Sequence, residues 1–184
     1  MDTIEAIHSR RSIRRYEPRP VPRAVIEDIL FDAAQAPAPP VSGSEPFLFT
    51  VIEGAARIAD YDRRALLYAR EHRPAGSGYD WVRRDDFSVF FGAPAVVVVS
   101  GFRTEHAQAL QDCNRAGQNL MLSAHARGLG TCWVGSPMLW MRDAATRAEF
   151  AIPDDYDPSA VFALGYPAGA PTGKPRPRPT IQWR

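Results

Sequence analysis

Residues 9 to 16 read SRRSIRRY, and four of the six residues from Arg10 to Arg15 are arginines, with a hydroxyl among them at Ser12. Guanidinium groups beside a hydroxyl offer the forked, charge-assisted hydrogen bonds that a phosphate monoester accepts. A second basic cluster, GKPRPRP, carries Lys174, Arg176 and Arg178, and no acidic residue occurs from Ser159 to Arg184. Two readings of the first cluster compete. Its arginines either hold an anion or satisfy the last carbonyls of the helix they follow. That position is the negative end of a helix dipole, so an anion there is held by side-chain charge rather than by helix-end amides.

Other catalytic signatures are absent. His8, His72, His106 and His125 form no H-E-x-x-H motif and share no spacing with the cysteines, so no metal site is expected. There is no G-x-S-x-G for a nucleophilic serine. The glycine-rich GLGTCWVG, 128–135, follows a helix and lacks a phosphate-loop lysine, so it is not a dinucleotide fingerprint. Cys132 has no histidine close to it in sequence and reads as a packing residue.

The bulk numbers bound the class. The chain has 184 residues, 45% of them hydrophobic, enough for one domain with a sizeable core; neither an internal repeat nor a second boundary interrupts 1–184. Its 22 basic and 21 acidic side chains leave a formal charge of +1, which argues against general attraction to nucleic acid or a membrane surface. Two cysteines with no C-x-x-C pairing imply a reducing compartment, and no apolar run approaches the roughly 18 residues of a membrane span. A cytoplasmic location is expected.

These residues need elements to hold them. Ile4 and Ile7 begin a short helix after Asp2 that ends near His8. From Pro22 to Ala36, Ile26, Ile29, Leu30, Ala33 and Ala34 form one apolar stripe, and the prolines of APAPP stop the helix. FLFTVI (47–52) predicts a strand, 55–71 a polar helix, and RPAGSGYD a loop. APAVVVVS (93–100) predicts a strand buried on both faces at the centre of a sheet. The longest helix spans about 105–127 and is closed by Gly128; Ala109, Cys113 and Gly117 give it a smooth face suited to a partner helix. TCWV (131–134), a helix near 142–150, a strand at 160–166 and a proline-rich tail complete an α/β or α+β pattern.

Taken in order, six segments resemble the nitroreductase family of flavin-dependent oxidoreductases, in particular its smaller single-domain members. They are RRSIRRYEPRPVP; AAQAP with EPFLFTVIE; GAPAVVVV; DCNRAGQNLMLSAHARGLGTCWVG; FAIPDDYDPSAVFALGYP; and GKPRPRP. The resemblance implies an α+β fold with a central mixed sheet flanked by helices, two chains interlocked in a homodimer, and one FMN in each of two interface sites. It also implies that the long helix packs on its counterpart in the dimer.

Carried over by position, Arg10, Arg11 and Ser12 would hold the FMN phosphate and ribityl chain, with Arg14 as a further basic contact, and Lys174 and Arg176 would reach the same phosphate. Pro37, Ala38 and Pro39 would border the flavin of the other subunit. Trp133, Val134 and Gly135 would run along the flavin ring with an amide aimed at its reactive nitrogen. The chain departs from the family in the loop APAPPVSGSEPF, where Ala38 and Pro39 replace hydroxyl-bearing residues, Gly43 stands near the usual asparagine, and Glu45 and Phe47 replace glutamine and tryptophan. Glu45 is expected to face an arginine or solvent, because a carboxylate at the ring would oppose the anionic reduced flavin.

The implied activity is transfer of electrons from NADH or NADPH to a flat, electron-poor nitroaromatic, quinone or enone in ping-pong order, with no catalytic side chain assigned. The alternatives are a flavin-dependent dehydrogenase or other atypical member, and a non-catalytic anion- or nucleic-acid-binding module without FMN. The expected partners are a second copy of the chain and a small-molecule substrate, with no nucleic acid and no membrane.

Overall fold

The computed structural model describes residues 1–39, 45–73, 76, 80–103, 109–170, 173 and 176–184. Its first helix, α1 (Thr3–Ser9), begins where the Asp2 carboxylate accepts the Glu5 N–H at 2.9 Å. The second, α2 (Arg23–Ala34), follows Pro22 and buries the stripe Ile26, Ile29 and Ala33. Strand β1 (Phe47–Glu53), helix α3 (Ala55–His72) and a 3-10 turn (Asp80–Arg83) lead to β2 (Ala95–Phe102). Helix α4 (Ala109–Ala126) ends in a turn with Gly128 at φ +76°, the left-handed position expected of it. Then come β3 (Gly130–Trp133), α5 (Met138–Met141), α6 (Ala144–Glu149) and β4 (Tyr156–Gly165).

The strands form one sheet in the order β1-β2-β4-β3. Val97, Val99, Phe162 and Leu164 face a core shared with Ile29, Ala33 and Leu120, while Val96, Val98 and Val161 face Ile58, Ala65 and Trp140. Helices therefore cover both faces, α2 and α4 on one side and α3 and α5 on the other. Side chains alternate across a strand, so a strand sandwiched in this way needs apolar residues at every position, which is why β2 reads AVVVVS.

Three expectations are corrected. The four strands pair antiparallel throughout, and the parallel component of the expected mixed sheet is confined, among the described residues, to an isolated Ser12–Thr131 bridge. The smooth face of α4 meets the sheet of its own chain rather than another helix. A Cβ on Gly117 would collide with the Phe162 ring, one on Gly101 of β2 would stand 2.8 Å from Ala109 Cβ, and Cys113 is fully buried. The helix expected near 142–150 is α6, which starts where Asp143 accepts the Thr146 N–H at 3.2 Å, and the short α5 precedes it. β4 also begins earlier than Ala160: a bulge opposite Val99 and Ser100 leaves Ser159 without a partner, beside Pro158, which has no N–H for the ladder. Among the described residues no helix is long and apolar enough to cross a membrane.

Candidate functional site

The arginine-rich segment leaves α1 and runs across the ends of two strands. Ile13 N–H donates to Thr131 O at 2.9 Å, Glu17 N–H to Tyr166 O at 2.9 Å and Ala168 N–H to Arg15 O at 3.0 Å. Gly130 permits the approach, since a Cβ there would lie 2.5 Å from Ile13 Cγ1. The half-buried Tyr16 hydroxyl donates to Ile13 O at 2.7 Å and pins the turn from within.

The two readings of the cluster divide between its members. Arg11 Nη1 donates to His8 O at 2.8 Å and to Arg10 O at 3.0 Å, so Arg11 does satisfy a helix-end carbonyl. Arg10 does not: it is 8% exposed, and its Nη1 is buried without a hydrogen-bond partner among the described residues. Burial first, then the charges of Arg176 and Arg11, hold its guanidinium below the usual arginine range. The far end of the chain has come back to it, and Gly173 lies so close to Arg11 that a Cβ would stand 2.7 Å from Nε. Among the described residues, none of Arg10, Arg11 and Arg176 is ion-paired with a carboxylate. Three cations from both ends of the chain, one with a buried unused donor, are what an oxyanion site requires. Ser12 is exposed beside them, and Lys174 lies outside the described residues.

Arg14 points elsewhere. Its guanidinium stands 5.9 Å from the centre of the Phe91 ring, at the edge of a cavity of about 480 Å³ whose other wall is Trp133, Val134 and Gly135. Such a volume is within the usual range of small-molecule sites, roughly 300–1,000 Å³. Trp133 is 40% exposed and packs on Phe162 at 5.7 Å. Val134 N–H is taken by Val161 O at 2.8 Å, whereas Gly135 N–H has no acceptor among the described residues. Of the expected amides, that of Val134 is therefore spent within the fold, and that of Gly135 is left to face a ligand. Cys132 also lines the cavity, but burial pushes its thiol up, in keeping with a packing role.

Several contributors escaped the sequence reading. Phe87 and Phe91 meet edge to face at 6.3 Å and form an aromatic wall; their signal was the aromatic run in DDFSVFFG. Ser136, 3% exposed, lines the same cavity with a buried hydroxyl that has no partner among the described residues. His125 Nε2 lies 2.8 Å from Ser9 Oγ; because that hydroxyl donates to Glu5 O at 2.6 Å, the neutral ring donates to it.

Pro37, Ala38 and Pro39 are not brought to this site within one chain. Pro37 O accepts Arg115 Nη1 at 3.3 Å, and Ala38 packs on the core shared by α2 and α4. Glu45 is exposed, as expected of a carboxylate kept from the site, and Phe47 is buried in the sheet core; Gly43 lies outside the described residues.

The geometry can therefore hold an oxyanion at Arg10 and a flat apolar group between the Phe91 and Trp133 walls. A relative from Methanothermobacter thermautotrophicus, provisionally named NADH dehydrogenase/NAD(P)H nitroreductase, is 35% identical over 174 residues, 93% of this chain and 80% of its own length. Among solved structures, a nitroreductase with bound FMN from Bacteroides fragilis superposes with a TM-score of 0.84 at 23% identity, over 100% of this chain and 99% of that one. A nitroreductase with bound FMN from Desulfitobacterium hafniense gives 0.81 at 22%, over 100% and 99%. These likenesses establish the fold, and residues 7–166 match the sequence pattern of the Nitroreductase family. With a match across that span and a relative of such identity over nearly its whole length, the chain belongs to the nitroreductase family.

Proposed function

We propose that the protein is an FMN-dependent oxidoreductase that takes electrons from NADH or NADPH and passes them to a flat, electron-poor acceptor such as a nitroaromatic, quinone or enone. The observation that carries this reading is the buried Arg10 guanidinium, whose Nη1 lacks a partner among the described residues and whose charge is opposed by the cations Arg176 and Arg11. A buried, unpaired donor is costly, and a phosphate relieves the cost. In this reading Arg10, Arg11, Ser12 and Arg176, with Lys174, hold the phosphate of FMN, and Arg14 reaches its polar parts. Trp133, Val134 and Gly135 flank the ring, with Gly135 N–H as a donor available to it.

When bound, FMN supplies the acceptance and release of a hydride, and the chain supplies position and field. Phe87, Phe91 and Trp133 exclude water from the cavity, which strengthens the polar contacts inside it. Donor and acceptor use one cavity in turn, giving a ping-pong order.

A homodimer is part of the proposal, with Pro37, Ala38 and Pro39 of one chain completing the site of the other. Phe31 is 70% exposed, Leu110 47% and, on the extended tail, Trp183 89%, which fits surfaces that a second copy covers. An obligate interface of this kind buries well over ~2,000 Å².

The deciding experiment is the visible spectrum of the purified protein, with chromatography of what heat releases, followed by NAD(P)H oxidation in the presence of a quinone. One FMN per chain and rapid turnover support the reading. A colourless protein that takes up no added FMN overturns it, and FMN without NAD(P)H oxidation transfers it to a flavin-dependent dehydrogenase.

A further inference from the structure

Phe91 owes its place in the cavity to an unusual backbone. It has φ +58° and is followed by Gly92 at φ +66°, so two successive residues are left-handed and the first carries a bulky side chain. That conformation is disfavoured for phenylalanine and persists only where neighbours impose it. Val89 and Phe90, both fully buried, anchor the chain just before the turn, and Ala93 N–H closes it on Phe90 O at 3.0 Å.

The direction of the turn is set from α3. Asp62 Oδ1 accepts Phe90 N–H at 2.7 Å and Ser88 Oγ–H at 2.9 Å, so one carboxylate oxygen holds the two residues that flank Val89. Beyond Asp62 and Gly92 lies a hollow of about 480 Å³ rather than packed side chains, so that side provides little else to hold the turn. The turn delivers Phe91 to the opposite cavity, edge to face with Phe87 and beneath Arg14.

We propose that Asp62 is a positioning residue for the acceptor site: by holding Ser88 and Phe90 it keeps Phe91 in the left-handed conformation, and the Phe91 ring is the surface on which a flat acceptor rests. This rests on the reading of the cavity as the flavin and acceptor site. Asp62 touches neither cofactor nor substrate; it acts through the backbone. Phe91 is the residue that determines how well a flat ring is received.

The test titrates the FMN-loaded protein with benzoate, a flat and non-reducible aromatic probe, following the flavin absorption band in wild type, Asp62→Ala, Asp62→Asn, Phe91→Ala and the Asp62→Ala/Phe91→Ala double variant. Asn retains a carbonyl oxygen where Oδ1 stands, so it can keep both hydrogen bonds. The expected result is a benzoate Kd raised at least fivefold in Asp62→Ala and in Phe91→Ala and restored to within about twofold in Asp62→Asn. The double variant should be no worse than Phe91→Ala alone, since residues acting through one another are not additive. Each titration is run on FMN-saturated protein, so that a change in flavin affinity does not enter the benzoate Kd. An unchanged Kd in Asp62→Ala, or additive losses in the double variant, overturns the proposal.

Amide hydrogen exchange at Phe90, measured without cofactor, separates this failure from failure of the functional reading. Faster exchange in Asp62→Ala, reversed in Asp62→Asn, supports the hold on the turn whether or not FMN binds; unchanged exchange removes it. A wild-type protein that takes up no FMN sinks the claim about the acceptor.

Discussion

Gly117 of α4 lies flat against the ring of Phe162 in β4, so closely that a Cβ on Gly117 would collide with Cζ and stand 3.1 Å from Cε2. Phe162 is paired with Trp133 across the ladder, and their rings are 5.7 Å apart. The contact therefore links the helix, the sheet and the cavity wall. Replacing Gly117 by Ala gains up to about 1 kcal/mol in helix propensity but overpacks the core, at a cost of typically 1–3 kcal/mol. The expected outcome is a net loss of about 1 kcal/mol and a fall of a few degrees in Tm. Because the displaced ring is Phe162, the fluorescence of the protein, with Trp133 among its emitters, should also change. A Tm at or above wild type would mean that Phe162 can move aside freely.

Arg10 predicts opposite effects with and without ligand. Its buried guanidinium has an unpartnered donor and stands among other cations, so the fold holds this charge at a cost. Arg10→Gln should leave the FMN-free protein equally or more stable, yet weaken FMN binding by about 2–3 kcal/mol, or roughly 30- to 150-fold in Kd, the usual scale for a lost charge-assisted hydrogen bond. Thermal melts of the free protein and a flavin titration check both arms. A variant that binds FMN as tightly as wild type would remove Arg10 from the phosphate site.

Much of this architecture was legible because local chemistry and tertiary structure agree. The apolar stripe Ile26, Ile29 and Ala33 is buried as its spacing requires, Gly128 takes the left-handed position, and β2 is covered on both faces. The small residues of α4 misled because a smooth helix face fits a sheet as well as another helix, and only tertiary contact distinguishes them. At the site, arginines and hydroxyls advertise themselves by type. The Phe91 wall and its Asp62 support do not, because their role depends on a left-handed turn that sequence periodicity does not encode. Pro37 to Pro39, which the proposal assigns to the site of a second copy, are not brought to the cavity within one chain.

His125 should report on the phosphate site without belonging to it. Burial first, then repulsion from Arg10, holds its pKa below the ordinary 6.5 in the free protein. A histidine depressed in the folded state contributes stability that is present above its unfolded pKa and is lost as pH falls through 6.5 toward the folded value. A bound phosphate would offset the charges of Arg10 and Arg11, so the His125 pKa should rise on FMN binding. Titration of the ring Cε1 proton by NMR, with and without FMN, measures this. An unchanged or lower midpoint in the loaded protein would place the phosphate away from Arg10.

The bond between α2 and α4 sets an acid limit to the fold. Asp32 Oδ2 accepts Ser123 Oγ–H at 2.7 Å and Arg127 Nη1 at 2.8 Å, and the Ser123 hydrogen bond, followed by Arg127, lowers its pKa from 3.8. A carboxylate depressed in the folded state contributes stability that is complete above its unfolded pKa and disappears as pH falls through its folded pKa. That window lies below about pH 4. Because Asp32 is 41% exposed at the side chain, solvent screening limits the contribution to about 1 kcal/mol. Asp32→Asn should therefore lower Tm by a few degrees at pH 7, with the difference from wild type shrinking as the pH is taken from 5 to 2. Melts across that range decide it, since a difference that stays constant with pH would mean that Asp32 acts through packing rather than through its charge.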